Sequence, residues 1–244
     1  MENIFDSWLV KQPIAHRGLH DDVTPENSLA AFEKAMQCGY AIEMDVQMTK
    51  DGELVVFHDD LLDRMTDATG DIREKNFNEI FELTLRNSEE KIPLFSEFLR
   101  HINGKVPLLI EVKDHKHIGI AEEKIKDALE NYHGQFAVQS FNPFIVKWFK
   151  KNTDFTAGQL SSFFEGVPLS KWKKTLLKNL TFLHYTKADF VSYECHAGTT
   201  FKKVKKLKNK LPILFWTVKS QEDADKFKDF CDNIIFEGFL PERN

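Results

Sequence analysis

Glu43 and Asp45 stand two residues apart in the otherwise apolar run Tyr40-Ala41-Ile42-Glu43-Met44-Asp45-Val46. Residues two apart in a strand point to the same face, so the two carboxylates share one face while Ile42, Met44 and Val46 cover the other. Burying two anions side by side is costly unless a cation, donors or protons compensate them. The same oddity returns in Pro107-Leu108-Leu109-Ile110-Glu111-Val112-Lys113, where Glu111 and Lys113 share a face with Leu109. Strands buried on both sides of a parallel sheet read as nearly unbroken apolar runs. One interruption alone would read as a buried ion pair or an exposed edge. Two of the same geometry, both near the C-terminal ends of their strands, point to a shared site.

Other reactive side chains fall at comparable places. His16 and Arg17 end the first apolar run, and His58 ends the run Glu53-Leu54-Val55-Val56-Phe57, with Asp59 beside it. Gln139 ends the fourth strand of the barrel considered below, and Trp216 lies at the end of the seventh. Histidine titrates nearest neutrality, so a pair can accept and donate protons within one cycle. The remaining seven histidines, such as His20, His101 and His115, carry no supporting pattern and read as structural. Glu43, Asp45 and Glu111 offer oxygen ligands only, which suit magnesium or calcium rather than zinc or copper. A bound cation would also relieve the desolvation of the acids. Arg17 and Lys113 supply positive charge suited to a phosphate group. They are equally suited to salt bridges with the same carboxylates, and both roles can hold at once. Two histidines, three carboxylates and two cations together fit metal-assisted phosphoryl transfer. Their spacing does not say which phosphate ester is cut.

These side chains need a framework of alternating elements. Strands are expected near 13–16, 41–47, 107–113, 135–139, 155–160, 189–193, 212–217 and 233–236. Helical patterns lie near 28–38, 95–103, 120–132, 142–151, 168–182, 200–210 and 220–230, with start signals at Ser28 and Ser220. Eight strands separated by helices predict a (β/α)8 TIM barrel, in which reactive groups collect at the C-terminal strand ends. An open doubly wound sheet is the alternative, but it would more naturally carry a glycine-rich turn after the first strand, and none is present. The expected organisation is one barrel domain over 1–244 with an insertion at about 47–94. That insertion starts with the turn signal Lys50-Asp51-Gly52 and the extra strand-like run at 53–57, then continues as a polar stretch over roughly 59–91. Its apolar content reads as modest, so it is expected to cap one end of the barrel as a lid or substrate-binding segment.

The 244 residues, 42% hydrophobic and 29% charged, are ordinary for a soluble globular chain. A net charge of −5 with no long basic run argues against nucleic acid as a partner. The lysines of 202–210 fall between Phe201, Val204, Leu207 and Leu211 at helical spacing, as on the solvated face of an amphipathic helix. No apolar stretch approaches the ~20 residues needed to cross a bilayer, so stable membrane insertion is not expected. The start Met1-Glu2-Asn3-Ile4-Phe5-Asp6-Ser7 lacks a signal-peptide pattern, and Cys38, Cys195 and Cys231 suggest neither a disulfide framework nor a zinc site. A cytoplasmic location is the expectation. The oligomeric state is not legible.

The run His16-Arg17-Gly18, then Pro25-Glu26-Asn27-Ser28 and Ala31-Phe32, resembles the opening signature of the glycerophosphodiester phosphodiesterase family. So do Glu43-x-Asp45-Val46, Thr49-x-Asp51-Gly52 and Val55-Val56-x-His58-Asp59. Arg64-x-Thr66 with Gly70, Glu111-x-Lys113, Gln139-Ser140-Phe141 and Trp216-Thr217-Val218 continue the resemblance in order, over about 14 to 240. The resemblance implies a (β/α)8 barrel akin to the phosphatidylinositol-specific phospholipases C. It implies cleavage of glycerophosphodiesters, such as glycerophosphocholine or glycerophosphoethanolamine, to an alcohol and glycerol 3-phosphate. By resemblance, Glu43, Asp45 and Glu111 would hold one divalent cation, Mg2+ or Ca2+. His16 would serve as base and His58 as acid, and Arg17, Lys113, Gln139 and Trp216 would contact the substrate. The glycerol 2-hydroxyl would attack phosphorus, and water would open the resulting cyclic phosphate.

The pattern departs from the family at Lys219, where Asn often follows Trp-Thr-Val. It departs again at Phe236-Glu237-Gly238-Phe239-Leu240-Pro241, where a Thr-Asp pair often precedes the proline. Both departures bear on which alcohol is recognised. Phe163 and Phe164, after the fifth strand, read either as ordinary packing, the preferred sense among 22 phenylalanines, or as an apolar lip. A lip would suit a lysophospholipase D-like activity on single-chain lipids. A non-catalytic phosphodiester-binding protein is a further alternative, disfavoured because every acid, base and ligand position is filled.

Overall fold

The expected apolar runs become nine strands, set between short helices. The structure, a computed structural model, describes residues 3–196 and 202–242. In chain order the elements are α1 (Trp8–Lys11), β1 (Ile14–Ala15), α2 (Leu29–Gln37), β2 (Ala41–Met48), β3 (Leu54–Val56), α3 (Phe77–Ile80) and α4 (Phe95–Ile102). They continue with β4 (Leu108–Val112), α5 (Ile120–Glu130), β5 (Phe136–Ser140), α6 (Pro143–Asn152), β6 (Ala157–Ser161), α7 (Lys171–Lys178) and α8 (Leu183–Thr186). The last are β7 (Phe190–Glu194), α9 (Lys202–Leu207), β8 (Ile213–Val218), α10 (Gln221–Phe227) and β9 (Asn233–Phe236). The strand order is β1-β9-β8-β7-β6-β5-β4-β2-β3, and β1 also pairs with β2. Eight strands therefore close into a (β/α)8 barrel, and β3 adds to β2 from outside the ring. This closure excludes the open doubly wound sheet.

The predicted helix starts hold. The Ser28 hydroxyl accepts from the Ala31 amide at 3.1 Å, and the Ser220 hydroxyl from the Asp223 amide at 3.1 Å. Such caps satisfy amide donors that the first helical turn leaves unpaired. The helix expected over 168–182 is instead two pieces, α7 and α8, with Leu180 between them in the left-handed region at φ 53°. The helix expected over 200–210 is observed as Lys202–Leu207, while its first apolar position, Phe201, lies outside the described residues.

The chain forms two compact units, Met1–Ile14 with Ala137–Asn244, and Ala15–Phe136. In the first, β5 to β9 run parallel, with registers such as Gly158↔Phe190 and Tyr193↔Phe215. Its apolar core gathers Val191, Ile213, Phe215 and Phe227. Asn233 at the start of β9 donates to the carbonyls of Leu9 and Gln12, at 2.9 and 2.7 Å, and so ties the N-terminal segment to the strand.

In the second unit, β2 pairs parallel with β4 and antiparallel with β3. The segment expected as an insertion begins with a β2–β3 hairpin at the turn signal Lys50-Asp51-Gly52. Asp51 of that turn accepts the amide of Phe77 at the start of α3 at 3.0 Å. The stretch over 59–91 is less polar in effect than its composition suggested. Leu62, Ile72, Ile80 and Leu85 pack with Val55 and Phe57 into a small core of their own. Leu62 and Ile72 sit on 3-10 segments, Ile80 ends the single turn of α3 and Leu85 follows outside any helix, so no periodic pattern announced them.

The turn after β1 depends on a glycine. Gly18 has φ +81°, and a Cβ there would lie 2.8 Å from the Ala31 carbonyl carbon and 2.9 Å from its Cβ. The amide of Leu19 donates to the Ala31 carbonyl at 3.0 Å, so the turn is pressed against the start of α2. Gly18→Ala is expected to destabilise the chain by about 2 kcal/mol or more through clash and backbone strain. Thermal unfolding of the variant measures this, and an unchanged midpoint would show that the turn can relax away from α2.

Candidate active site

β2 alternates strictly, with Glu43, Asp45 and Gln47 on one face, all buried. Parallel register sets Asp45 opposite Glu111 on β4. One carboxylate oxygen from each of Glu43, Asp45 and Glu111 lies within 4.8 Å of the other two. Lys113 completes the alternation after Glu111 and spans two of the acids. Its Nζ is 2.7 Å from Asp45 Oδ1 and 2.6 Å from Glu111 Oε1.

The turn after β1 closes the cluster from another side. Arg17 has left-handed backbone, φ 55°, and its amide donates to Glu43 Oε2 at 3.0 Å. Its Nε lies 3.3 Å from Asp45 Oδ2, and its Nη1 donates to Glu26 at 2.7 Å. Asn27, also left-handed at φ 57°, donates from Nδ2 to Asp45 Oδ2 at 2.8 Å and accepts the Asp45 amide at 3.3 Å.

Burial raises the proton affinity of each acid, and neighbouring charges then divide them. For Asp45, burial is outweighed by Lys113, His58 and Arg17, and the carboxyl is held far below its usual range. Glu43 is pushed well above its usual range by burial, then by the negative charges of Asp45 and Glu111, which outweigh Arg17 and Lys113. Lys113 resists the downward push of its burial and is raised by Asp45 and Glu111. The cluster is thus short of positive charge at Glu43. Three convergent oxygens with that deficit suit a hard divalent cation in place of a proton.

His58 follows β3, and its Nδ1 lies 2.6 Å from Asp59 Oδ1. Asp59 is gripped in turn by Arg64, whose Nε is 2.5 Å from Oδ2 and whose Nη2 is 3.0 Å from Oδ1. Arg64 also donates to both oxygens of Glu26, at 2.9 and 2.6 Å, and Glu26 accepts from Arg17. Burial would raise the Glu26 carboxyl, but Arg64 and Arg17 outweigh it and bring it down to about 2. A continuous path of ion pairs therefore joins His58 to the acidic cluster. An Nδ1 proton donated to Asp59 leaves Nε2 as the nitrogen available for proton transfer.

Gln47 fixes the segment that carries His58. Its Nε2 donates to the carbonyls of Phe57 at 3.0 Å and Asp59 at 2.7 Å, one on each side of the histidine. The backbone adds a further tie, from the Phe57 amide to the Asp45 carbonyl at 3.1 Å.

The second unit thus brings together Arg17, Glu43, Asp45, Glu111 and Lys113, with His58 close enough to act on Asp45. His16 opens the turn after β1 and is half-buried. Gln139 and Trp216 belong to the other unit. There, Gln139 accepts the Ser192 hydroxyl at 2.6 Å, and the Trp216 ring stacks edge-on to Phe141 at 5.7 Å. Phe164 is buried against Phe141, while Phe163 packs on Tyr193 beneath Lys178. The two family departures meet each other, since Lys219 Nζ lies 2.6 Å from Glu237 Oε1.

Sequence reasoning gave no role to Glu26, Asn27, Gln47, Asp59 or Arg64. For Gln47 a signal existed, because it continues the alternation that begins at Glu43 and Asp45. Arg64 and Glu26 stand within the motifs of the family resemblance, but their pairing spans 38 positions and no local spacing announces it.

Two outcomes are expected. The folded-state pKa of Glu43 is raised, so its contribution to stability is fully present below its ordinary value of 4.5 and lost as pH rises through the higher folded value. In cation-free protein, the melting-temperature gain of Glu43→Gln over the parent should grow from acid towards neutral pH. A pH-independent difference would contradict the charge clash. Gln47→Leu keeps the volume but removes both donors, leaving two carbonyls short at a cost of about 1–3 kcal/mol. Steady-state kinetics should show kcat lowered about ten-fold or more with KM little changed, because the His58 segment loses its alignment. An unchanged kcat would remove Gln47 from any positioning role.

Comparison with known proteins identifies the family. Residues 16–162 match the glycerophosphoryl diester phosphodiesterase family. A glycerophosphodiester phosphodiesterase of Caldanaerobacter subterraneus is 32% identical over 234 residues, spanning 91% of this chain and 92% of the relative. A phosphodiesterase of Oleispira antarctica, solved with the product sn-glycerol-3-phosphate, superposes with a TM-score of 0.75 at 26% identity and covers 92% of each chain. A glycerophosphodiester phosphodiesterase of Thermotoga maritima has the same fold, with a TM-score of 0.71 at 23% identity, over 91% of this chain and 92% of that one. The matched stretch contains the whole acidic cluster, its two cations and His58. By sequence and fold, the chain belongs to the glycerophosphoryl diester phosphodiesterase family of hydrolases.

Proposed function

We propose that the protein hydrolyses glycerophosphodiesters, such as glycerophosphocholine or glycerophosphoethanolamine, to the free alcohol and sn-glycerol 3-phosphate. The observation that carries this reading is the convergence of Glu43, Asp45 and Glu111 within 4.8 Å, alongside a histidine backed by a carboxylate. The three acids would hold one divalent cation, Mg2+ or Ca2+, which when bound would supply Lewis-acid charge to the phosphodiester oxygens. The product named for the Oleispira relative supports the same substrate class.

On this reading Arg17 and Lys113 have two duties. They balance the buried acids, and they present positive charge to the phosphoryl group. His16 takes the proton of the glycerol 2-hydroxyl as that oxygen attacks phosphorus. His58, oriented through Nδ1 by Asp59, gives a proton to the alcohol oxygen as its bond to phosphorus breaks. Water then opens the cyclic phosphate, with the two histidines exchanging roles. Gln139 and Trp216 are assigned to substrate contact. The lysolipid reading gains no support, because Phe164 is buried in packing rather than free as a lip.

The test is an assay of cation-depleted protein on glycerophosphocholine, glycerophosphoethanolamine and lysophosphatidylcholine, with each divalent ion restored in turn. Turnover should vanish on depletion, return with Mg2+ or Ca2+, and release sn-glycerol 3-phosphate from the first two substrates. His16→Ala and His58→Ala should each lower kcat by at least ~100-fold. Full activity without a cation, preference for the lysolipid, or unimpaired histidine variants would overturn the respective parts of the reading.

A further inference from the structure

Charge is divided unevenly between the two units. Residues 15–136 carry 14 basic and 25 acidic residues, a net −11. Residues 137–244 carry 17 lysines, one arginine and 11 acids, a net +7. Such asymmetry between the parts of one chain is a mark of contact with an anionic surface or polymer. One run without any acid lies between Gly166 and Ala188, where five lysines stand. That stretch contains α7 and α8.

Exposed apolar side chains lie on α6, on α8, on α7 and in the loop before it. Trp172 is 63% exposed, Phe144 55%, Tyr185 46% and Val167 39%. Phe144 on α6 and Tyr185 on α8 stack edge-on at 6.1 Å, and Lys147 Nζ stands 5.3 Å from the Tyr185 ring. Trp172 sits in the first turn of α7 between Lys171 and Lys173, with Lys173 Nζ 5.7 Å from its ring. No residue of α7 is fully buried, so the helix lies on the surface of its unit.

We propose that the face carried by α6, α7 and α8 docks on an anionic phospholipid surface. Trp172 and the Phe144–Tyr185 pair enter the headgroup layer, and the lysines around them meet lipid phosphates. The chemistry selects lipid for three reasons. Tryptophan and tyrosine favour the membrane–water interface, where one end of the ring is apolar and the other wet. Lysines beside an apolar helical face are the composition of helices that lie on anionic membranes. Nucleic acid is served better by arginine, which can fork onto phosphates and base edges, and residues 137–242 contain none. Because the whole chain is net −5, an anionic surface repels it on average and holds it only where basic residues are concentrated. Docking of this kind is peripheral, and no described helix is long and apolar enough to cross a membrane. The inference is independent of the proposed reaction.

The test is flotation of the full chain with vesicles of phosphatidylcholine alone, and with vesicles in which about a third of the lipid is phosphatidylglycerol. The chain should float with the anionic vesicles, not with the neutral ones, and should be released by high salt. The triple variant Lys171→Glu, Lys173→Glu, Lys174→Glu should lose binding by about 100-fold or more, since each lysine near the surface is worth about five-fold in partitioning. Trp172→Ala should weaken binding without changing its salt dependence. Lys124→Glu with Lys126→Glu, in the acidic unit, should leave it unchanged. Turnover of a water-soluble substrate by all these variants should match the parent, which separates lost docking from lost folding. Absence of anionic-vesicle binding, equal binding to neutral vesicles, full binding by the triple variant, or tighter binding to single-stranded nucleic acid than to vesicles would each overturn the proposal.

Discussion

One ammonium group makes the centre of this protein possible. Lys113 Nζ sits between Asp45 and Glu111, within 2.7 Å of each, where parallel register forces the two acids side by side. Two buried like charges at that spacing repel strongly in a low-dielectric interior. The lysine, with Arg17 and Asn27 on the other oxygen of Asp45, meets most of that demand. Glu43 is left with an amide from Arg17 and no equally close ammonium. The imbalance falls at one carboxyl rather than across all three, which makes the site receptive to a cation.

A second set of contacts transmits this order to the insertion. Gln47 lies two residues beyond Asp45 on the same face and grips the chain on both sides of His58. Arg64 binds Asp59 from the insertion and Glu26 from the turn after β1. The histidine is therefore held by a strand, by a loop and by the insertion, whose small apolar core keeps it folded. Rigid placement matters for proton transfer, because a donor must be within hydrogen-bond reach of the reacting oxygen. The ion pairs along this path are half-exposed at Arg64 and buried at Asp45. The exposed pairs at the insertion end contribute little to stability, whereas removing one partner at the barrel strands would leave a buried charge uncompensated.

The strand ends of the other unit differ in character. Lys219 and Glu237, both departures from the family pattern, neutralise each other. Phe141 joins Trp216 to Phe164 in edge-on contacts of 5.7 and 5.9 Å. Aromatic packing of this kind fixes ring planes without demanding a partner for every polar atom. Phe164, after β6, thus helps hold Phe141 against Trp216.

Periodicity alone was enough to read the barrel, the strand carrying Glu43 and Asp45, and the helix starts at Ser28 and Ser220. These features are local, since alternation in a strand and a hydroxyl three residues before an amide need nothing from distant chain. The same holds for the two acidic interruptions, which stand out because apolar neighbours flank them. The short core of the insertion was not legible, because its apolar residues lack a period. Nor was the division of proton affinity between Glu43 and Asp45, two acids with the same sequence surroundings. That division, and the path from His58 through Arg64 to Glu26, came only with tertiary structure. Which of two neighbouring carboxylates is left short of positive charge depends on strand register and on a turn 26 residues earlier, and Coulomb attraction acts through space rather than along the chain.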